Sequence, residues 1–366
     1  MSDTPLIILA AGGTGGHLFP AEALGSELLK RGLRVRLVTD ARAVRYSGLF
    51  TPEMTDVVPS ETVRSRSPLS LAKTGVLLAT GTMLAFNLMR RLKPAAVIGF
   101  GGYPTLPPLI AARLAGRPSI IHDANAVMGR ANKFLSGRVT AIATSLPGVL
   151  DHAPALAVKT TVTGTPMRPA ILAAAGVPFV PPEVDGPLRL LVVGGSQGAR
   201  VMADIVPPAI ERLAPAVWPR LALVQQVRQE DLARVRAVYD RLKINAELQP
   251  FFNDLPARLA SSHLVISRSG AGTVAELAAI GRPSILVPLP GAIDQDQFAN
   301  AGVLERVDGA IRIVQSDFTP DRLAAEISSL AAEPLRLTTM ATRARSVGTL
   351  DAAQRLADLV MKVAGL

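Results

Sequence analysis

Short apolar runs alternate with longer mixed stretches from one end of the chain to the other. In the first half these runs are LIILAA, RVRLVTD, AAVIGFG, PSIIHD and TAIAT; in the second they are LRLLVVGG, LALVQQV, HLVISRS and PSILVPL. They are rich in Ile, Val and Leu, and their near-continuous apolar character is that of strands buried on both faces. The stretches between them include helical patterns. Strands alternating with helices predict parallel sheets covered on both sides, a doubly wound α/β fold in each half of the chain.

Two features divide the pattern. The segment GVPFVPPEVDGP (176–187) is rich in Pro and Gly and lacks a helical period, which marks a linker. The pentapeptide GRPSI occurs at Gly116–Ile120 and again at Gly281–Ile285, each time after an Ala- and Leu-rich run. Each copy reads as a helix, a Gly at its C-terminal end, a Pro that stops it, and the next strand. Equivalent βαβ pieces are therefore expected in two similar domains, over 1–168 and 188–345, with a linker over 169–187.

Composition narrows the chemistry. A chain of 366 residues, 49% apolar, has material for two cores. It has no cysteine, which removes disulfides, Cys-ligated metals and thiol nucleophiles. His17, His122, His152 and His263 show no metal-ligand spacing, so no metal is expected. The N-terminal MSDTPLIILAAGGTGG lacks a basic flank and its apolar run is too short for a signal peptide. The longest stretch free of charge and Pro, between Lys73 and Arg90, falls short of a membrane span.

Charge is unevenly distributed. Residues 1–168 carry 19 Lys/Arg and 9 Asp/Glu, and residues 169–366 carry 20 of each, so the whole net charge of +10 lies in the first half. That points to a basic face for an anionic partner. Nucleic acid is not expected, because aromatics are only 4% and no nucleic-acid motif appears.

Glycine loops supply the candidate sites. GGTGGHLFP (Gly12–Pro20) follows the first strand and SQGAR (Ser196–Arg200) follows the strand that opens the second half. Glycines between strand and helix let backbone N–H groups approach phosphate, aided by the helix N-terminus. Gly13-Thr14-Gly15 begins a dinucleotide fingerprint, but Leu18 stands at the third glycine, and no P-loop follows either strand. Asp40, ending the second strand, keeps a nicotinamide reading open. A third loop, SRSGAGTVAE, places Glu276 early on a helix, where it could meet ribose hydroxyls. Asp294, Gln295, Asp296 and Gln297 then cluster beyond the strand PSILVPLP, at the edge where open α/β sheets bind ligands.

The blocks GGTGGHLFP, GFGGYPT, RANKFL, GTPMR, GGSQGAR, RSGAGTVAE and DQDQFANA, in this order along nearly the whole chain, resemble the bacterial lipid I N-acetylglucosaminyltransferases. That resemblance implies a GT-B fold, two Rossmann-like domains facing across a cleft. It implies inverting transfer of GlcNAc from UDP-GlcNAc to the C4 hydroxyl of the MurNAc of undecaprenyl-linked lipid I, giving lipid II and UDP without a required cofactor. The N-terminal domain would take lipid I at the cytoplasmic face of the inner membrane, and the C-terminal domain would bind the donor. A C-terminal helix over 346–366 would pack back on the N-terminal domain. Other proteins of cell-wall synthesis and division are candidate partners.

Carried over by position, Arg168, Ser196 and Phe252 fall at donor-binding places, Phe252 through its backbone toward uracil. Ala271, Gly272, Thr273, Val274, Ala275 and Glu276 belong to the same site, with Glu276 on the ribose and Gln297 on the GlcNAc hydroxyls. Thr14, Gly15, Gly16 and Asn125 complete it, while Tyr103 and Asn132 match other cleft positions. The chain departs from the usual family pattern at Asp123, Ala124, Ala126, Thr165 and Asp296.

Direct displacement needs a base for the C4 hydroxyl and stabilisation of departing UDP. His17, after the glycine loop, and Asp123, the acid of the HDAN loop, are the two candidates for the base. The stretch 64–94 is the candidate membrane contact. There Leu77, Met83, Leu84, Phe86, Leu88 and Met89 are flanked by Arg64, Arg66, Lys73, Arg90, Arg91 and Lys93, a composition suited to anionic lipid. The rival readings are another UDP-sugar GT-B enzyme (a glycolipid synthase or a UDP-GlcNAc 2-epimerase-like protein), a nicotinamide-dependent oxidoreductase and a non-catalytic scaffold.

Overall fold

The computed structural model describes residues 4–12, 15–41, 48–60, 68–183, 185–195, 198–292 and 295–366, with backbone alone over 68–72. The chain divides into two compact units, Met1–Arg168 with Leu350–Leu366, and Pro169–Thr349.

The first unit holds a seven-stranded parallel sheet. Its strands are β1 (Leu6–Ala10), β2 (Arg34–Thr39), β3 (Thr55–Val57), β4 (Ala96–Gly99), β5 (Ser119–Asp123), β6 (Ala141–Thr144) and β7 (Thr160–Val162). They are ordered β3-β2-β1-β4-β5-β6-β7. The central strand shows why its sequence is apolar without alternation. Ile7 and Leu9 pack on one face with Leu356 and Val360 of the C-terminal helix Ala352–Ala364, while Ile8 packs on the other with Ala85, Met89 and Leu109. Both faces are core. The C-terminal helix is also tied down where Arg31 donates to Asp358 at 2.5 Å and to the Gln354 carbonyl at 3.2 Å.

The second unit holds a six-stranded parallel sheet. Its strands are β8 (Leu188–Val193), β9 (Leu221–Gln226), β10 (Ala246–Gln249), β11 (Leu264–Ser267), β12 (Ser284–Leu286) and β13 (Ala310–Arg312), ordered β10-β9-β8-β11-β12-β13. The two sheets share one winding scheme, and each is doubly wound. The strands that hydrophobic patterning leaves unmarked, β3, β7, β10 and β13, are edge strands of three or four residues with mostly half-exposed or exposed side chains. Too short and too wet, they carry no continuous apolar run.

The repeated GRPSI occupies equivalent places. The helix Leu106–Leu114 ends before Gly116 (φ +65°) and leads to β5; the helix Ala271–Ile280 ends at Gly281 (φ +68°) and leads to β12. Both glycines adopt the left-handed conformation that closes a helix. β5 and β12 hold the same position in their respective sheet orders.

Candidate active site

In each sheet the chain winds one way from the central strand and then returns to wind the other way, so a crevice opens between the loops that leave the two central strands. In the first unit these loops follow β1 and β4, and in the second they follow β8 and β11. The glycine-rich segments fall at these four places.

In the first unit, the helix Gly15–Lys30 brings His17 back over the loop after β4. Gly101 and Gly102 have φ of +88° and +78°, and a Cβ on either would stand 3.4 Å from the His17 ring. The imidazole therefore lies close against this glycine pair, half-buried. Burial lowers its pKa below the ordinary 6.5, opposed by a hydrogen bond to the Phe100 carbonyl and by the charge of Asp123. A neutral imidazole that donates to a carbonyl keeps its other nitrogen as a proton acceptor.

Asp123, at the end of β5, is 2% exposed and its carboxylate already has three donors. The Asn125 N–H donates to Oδ1 at 3.0 Å, and the Gly129 N–H and Asn132 Nδ2 donate to Oδ2, each at 2.9 Å. This carboxylate shapes the loop that carries Asn125. Asn132 Nδ2 also donates to the His122 carbonyl at 3.0 Å, while its buried Oδ1 has no hydrogen-bond partner among the described residues.

Behind them lies a polar cluster that sequence reasoning missed. His122, 1% exposed, donates from Nε2 to the Gly164 carbonyl at 2.9 Å, and burial lowers its pKa. The Thr165 hydroxyl donates to Ser145 Oγ at 2.7 Å, and that oxygen lies 3.4 Å from His122 Nε2. The loop so held leads to Arg168, whose guanidinium stacks on Phe19 at 3.8 Å; Phe19 in turn covers Gly15. His17, Asp123, Asn125, Asn132, Gly15 and Arg168 thus belong to one end of one sheet. Gly16 is exposed beside them, and Tyr103 packs half-buried against the core. Thr14 lies outside the described residues.

In the second unit, Gly194 and Gly195 follow β8, with Gly195 at φ +92°. The helix Ala271–Ile280 opens at Gly270, and the N–H of Val274 is taken by the Gly270 carbonyl at 3.0 Å. The amides of Ala271, Gly272 and Thr273 precede the first intrahelical bond, the kind of helix N-terminus at which anions can bind. Val274 is 5% exposed and turns into the core, whereas Ala275 and Glu276 are half-buried. Ser269, fully buried, donates to the Gln297 carbonyl at 2.8 Å. Gln297 Oε1 accepts from the Leu289 N–H at 3.0 Å, which orients the side chain and leaves its amide hydrogens as donors for a ligand.

Phe252 is 5% exposed beneath the Arg258 guanidinium, so its backbone is what it can offer. Arg268, which sequence reasoning also missed, braces this edge by donating to the carbonyls of Val287 and Pro288 at 3.1 and 3.0 Å and to Gln315 at 2.6 Å. Ser196 and Asp294 lie outside the described residues. Among the described residues no group of three His, Asp or Glu could hold a metal ion.

The candidate membrane stretch is the helix Pro68–Leu92. The structure corrects part of the expected face: Leu88 and Met89 are 7% and 0% exposed and belong to the core. Leu77 and Phe86 are half-buried. Val76, Met83 and Leu84, 66%, 67% and 48% exposed, form the outward apolar positions, with Lys73, Arg90, Arg91 and Lys93 also exposed. Arg64 and Arg66 lie outside the described residues. Among the described residues no helix is long and apolar enough to cross a membrane.

The glycosyltransferase family 28 N-terminal domain matches residues 7–144, and the family's C-terminal domain matches residues 189–356. A protein of Bradyrhizobium sp. (strain BTAi1 / ATCC BAA-1182), named UDP-N-acetylglucosamine--N-acetylmuramyl-(pentapeptide) pyrophosphoryl-undecaprenol N-acetylglucosamine transferase, is 80% identical over 365 residues, covering 100% of each chain. A protein of the same name from Bradyrhizobium sp. (strain ORS 278) is 81% identical over 366 residues, again covering 100% of both. The crystal structure of Acinetobacter baumannii MurG matches with a TM-score of 0.77 at 30% identity, covering 98% of this chain and 100% of that one.

Proposed function

The chain belongs to glycosyltransferase family 28, and from that premise we propose that it transfers GlcNAc from UDP-GlcNAc to the C4 hydroxyl of MurNAc in lipid I. The products are lipid II and UDP, a step of peptidoglycan synthesis, and no cofactor is required. The observation that carries this reading is the end-to-end match at 80% identity to a transferase of that name. The nicotinamide-dependent reading is set aside by the same match.

The roles of individual residues are our assignment. The acceptor C4 oxygen attacks C1 of GlcNAc as the bond from C1 to the UDP oxygen breaks, which inverts the anomeric centre. We assign the proton to His17, because its imidazole is held neutral beside the crevice while the Asp123 carboxylate is committed to three donors. Charge on the departing diphosphate would be met by loop amides, the N-terminus of the helix Ala271–Ile280, Arg168 and Ser196. Gly15, Gly16 and Asn125 are further donor contacts in this reading, Glu276 binds the ribose, Gln297 donates to sugar hydroxyls and Phe252 offers its backbone to uracil.

The helix Pro68–Leu92 supports a peripheral attachment to anionic lipid at the cytoplasmic face of the inner membrane, where an undecaprenyl-linked acceptor resides. Its outward apolar positions lie between cations, as in interfacial helices.

Radiolabelled GlcNAc transfer from UDP-GlcNAc to a short-chain lipid I analogue, with a donor-only control, tests the reaction. Labelled disaccharide-lipid with equimolar UDP is expected. Donor turnover without acceptor product would overturn it in favour of an epimerase-like reaction. Glu276→Ala is expected to weaken UDP-GlcNAc binding by about tenfold while vesicle binding is unchanged. Unaltered donor affinity would remove Glu276 from the ribose.

A further inference from the structure

We propose that Gln226 is a positioning residue that couples two parts of the donor site, fixing the glycine loop after β8 against the Pro250–Phe252 segment after β10. The inference rests on the reading of the second unit as the UDP-sugar site.

Gln226 is the last residue of β9, the strand between β8 and β10, and is 4% exposed. Its side-chain amide reaches both neighbours. Oε1 accepts from the Gly194 N–H at 2.9 Å, and Nε2 donates to the Gly195 carbonyl at 2.9 Å and the Pro250 carbonyl at 3.1 Å. Both amide hydrogens are therefore used.

The two segments need such a tie. Gly195 sits at φ +92°, and an added Cβ there would meet nothing within 4 Å, so no packing against that face holds its conformation. On the other side the ladder between β9 and β10 closes with the Val227 N–H on the Gln249 carbonyl at 3.0 Å. Pro250 follows and has no N–H of its own, so its carbonyl must carry any sideways bond. Immediately beyond, Phe251 is 54% exposed and Phe252 is buried. The bond to Pro250 thus sets where the Phe252 backbone is presented.

β8 and β10 stand two strand spacings apart, about 10 Å. That is of the order of the separation between the base and the diphosphate of a nucleotide. A ligand that touches both segments depends on their spacing, whereas a ligand that touches only one does not. Gln226 therefore acts through the loop amides and the Phe252 backbone, and touches neither substrate.

Two substitutions separate this role from simple structural support. Gln226→Glu keeps the shape and the acceptor for Gly194, but turns an oxygen without a proton toward two carbonyls. Gln226→Met keeps the volume and removes every polar atom. UDP and uridine are titrated calorimetrically into the unaltered chain and both variants. UDP binding is expected to weaken about tenfold in each variant, and uridine, which meets only the Phe252 segment, clearly less, by about threefold. The KM for UDP-GlcNAc should rise in parallel, with the KM for the lipid I analogue unmoved. Unchanged UDP affinity in both variants overturns the coupling. Equal weakening of UDP and uridine also overturns it, because that marks general damage to the unit. Failure of the unaltered chain to bind UDP would refute the donor reading itself and take the coupling with it.

Discussion

The proposal that His17 is the base rests on its surroundings. A histidine after a glycine loop commonly caps a helix or touches phosphate, and sequence alone keeps Asp123 as its rival. Their surroundings differ: Asp123 accepts from Asn125, Gly129 and Asn132, while His17 lies against Gly101 and Gly102 and is lowered in pKa by burial. The sign follows directly. A base must be unprotonated, so activity is present above the His17 pKa and lost as pH falls through it, below 6.5. His17→Gln should lower kcat by about a hundredfold or more and abolish that acid limb. Asp123→Asn should lower activity by disturbing its loop yet keep the limb. A limb that survives His17→Gln and vanishes with Asp123→Asn would exchange the assignments. The glycine loops and most site positions are legible in the sequence because their residue types are unusual for their places. Gln226 and His122 are not, since Gln226 is last and His122 next to last in a strand, and each acquires its role only from loops far along the chain.

At the scale of the element, the duplicated GRPSI shows how one local signal serves two different contexts. Both glycines terminate a helix in the left-handed conformation, so both prefer glycine for the same reason. Their surroundings differ. An added Cβ at Gly116 would meet nothing within 4 Å, whereas at Gly281 it would stand 3.0 Å from Arg345 Cβ and 3.1 Å from the Ala341 carbonyl. The arginines differ too: Arg282 is 1% exposed and donates to the carbonyls of Leu259, Ala260, Ile280, Gly281 and Val177. Gly116→Ala should cost about 1 kcal/mol, the penalty for left-handed backbone alone. Gly281→Ala should cost more, because the helix Pro334–Ser346 must yield as well. Thermal unfolding of the two variants compares them, and equal shifts would show that packing around Gly281 contributes nothing. The pattern exposes helix ends and central strands because these rest on local chemistry. The edge strands β3, β7, β10 and β13 come from pairing with neighbours, which no short window of sequence contains.

Over the whole molecule, charge and exposed apolar surface converge on the first unit. The C-terminal segment Leu350–Leu366 adds two basic and two acidic residues, so this unit keeps the full +10 and the second is neutral. Such a field draws the unit toward an anionic surface over a Debye length, and apolar side chains can then hold it there. These two contributions respond differently to salt, which makes them separable. Reversing Arg90 and Arg91 to Glu should weaken binding to vesicles containing anionic lipid by about tenfold or more, since each basic residue near the surface contributes about 1 kcal/mol. The loss should shrink as salt rises. Met83→Ser with Leu84→Ser should weaken binding at every salt concentration, because these side chains are exposed and their transfer is not screened. Leu88→Ser is the control that the sequence pattern alone would have misjudged: with 7% of its surface exposed, it should lower thermal stability and not act as part of the anchor. Vesicle binding insensitive to salt and to all four exposed positions would place the membrane contact elsewhere on the unit, and the helix Pro68–Leu92 would then keep only its role in the core.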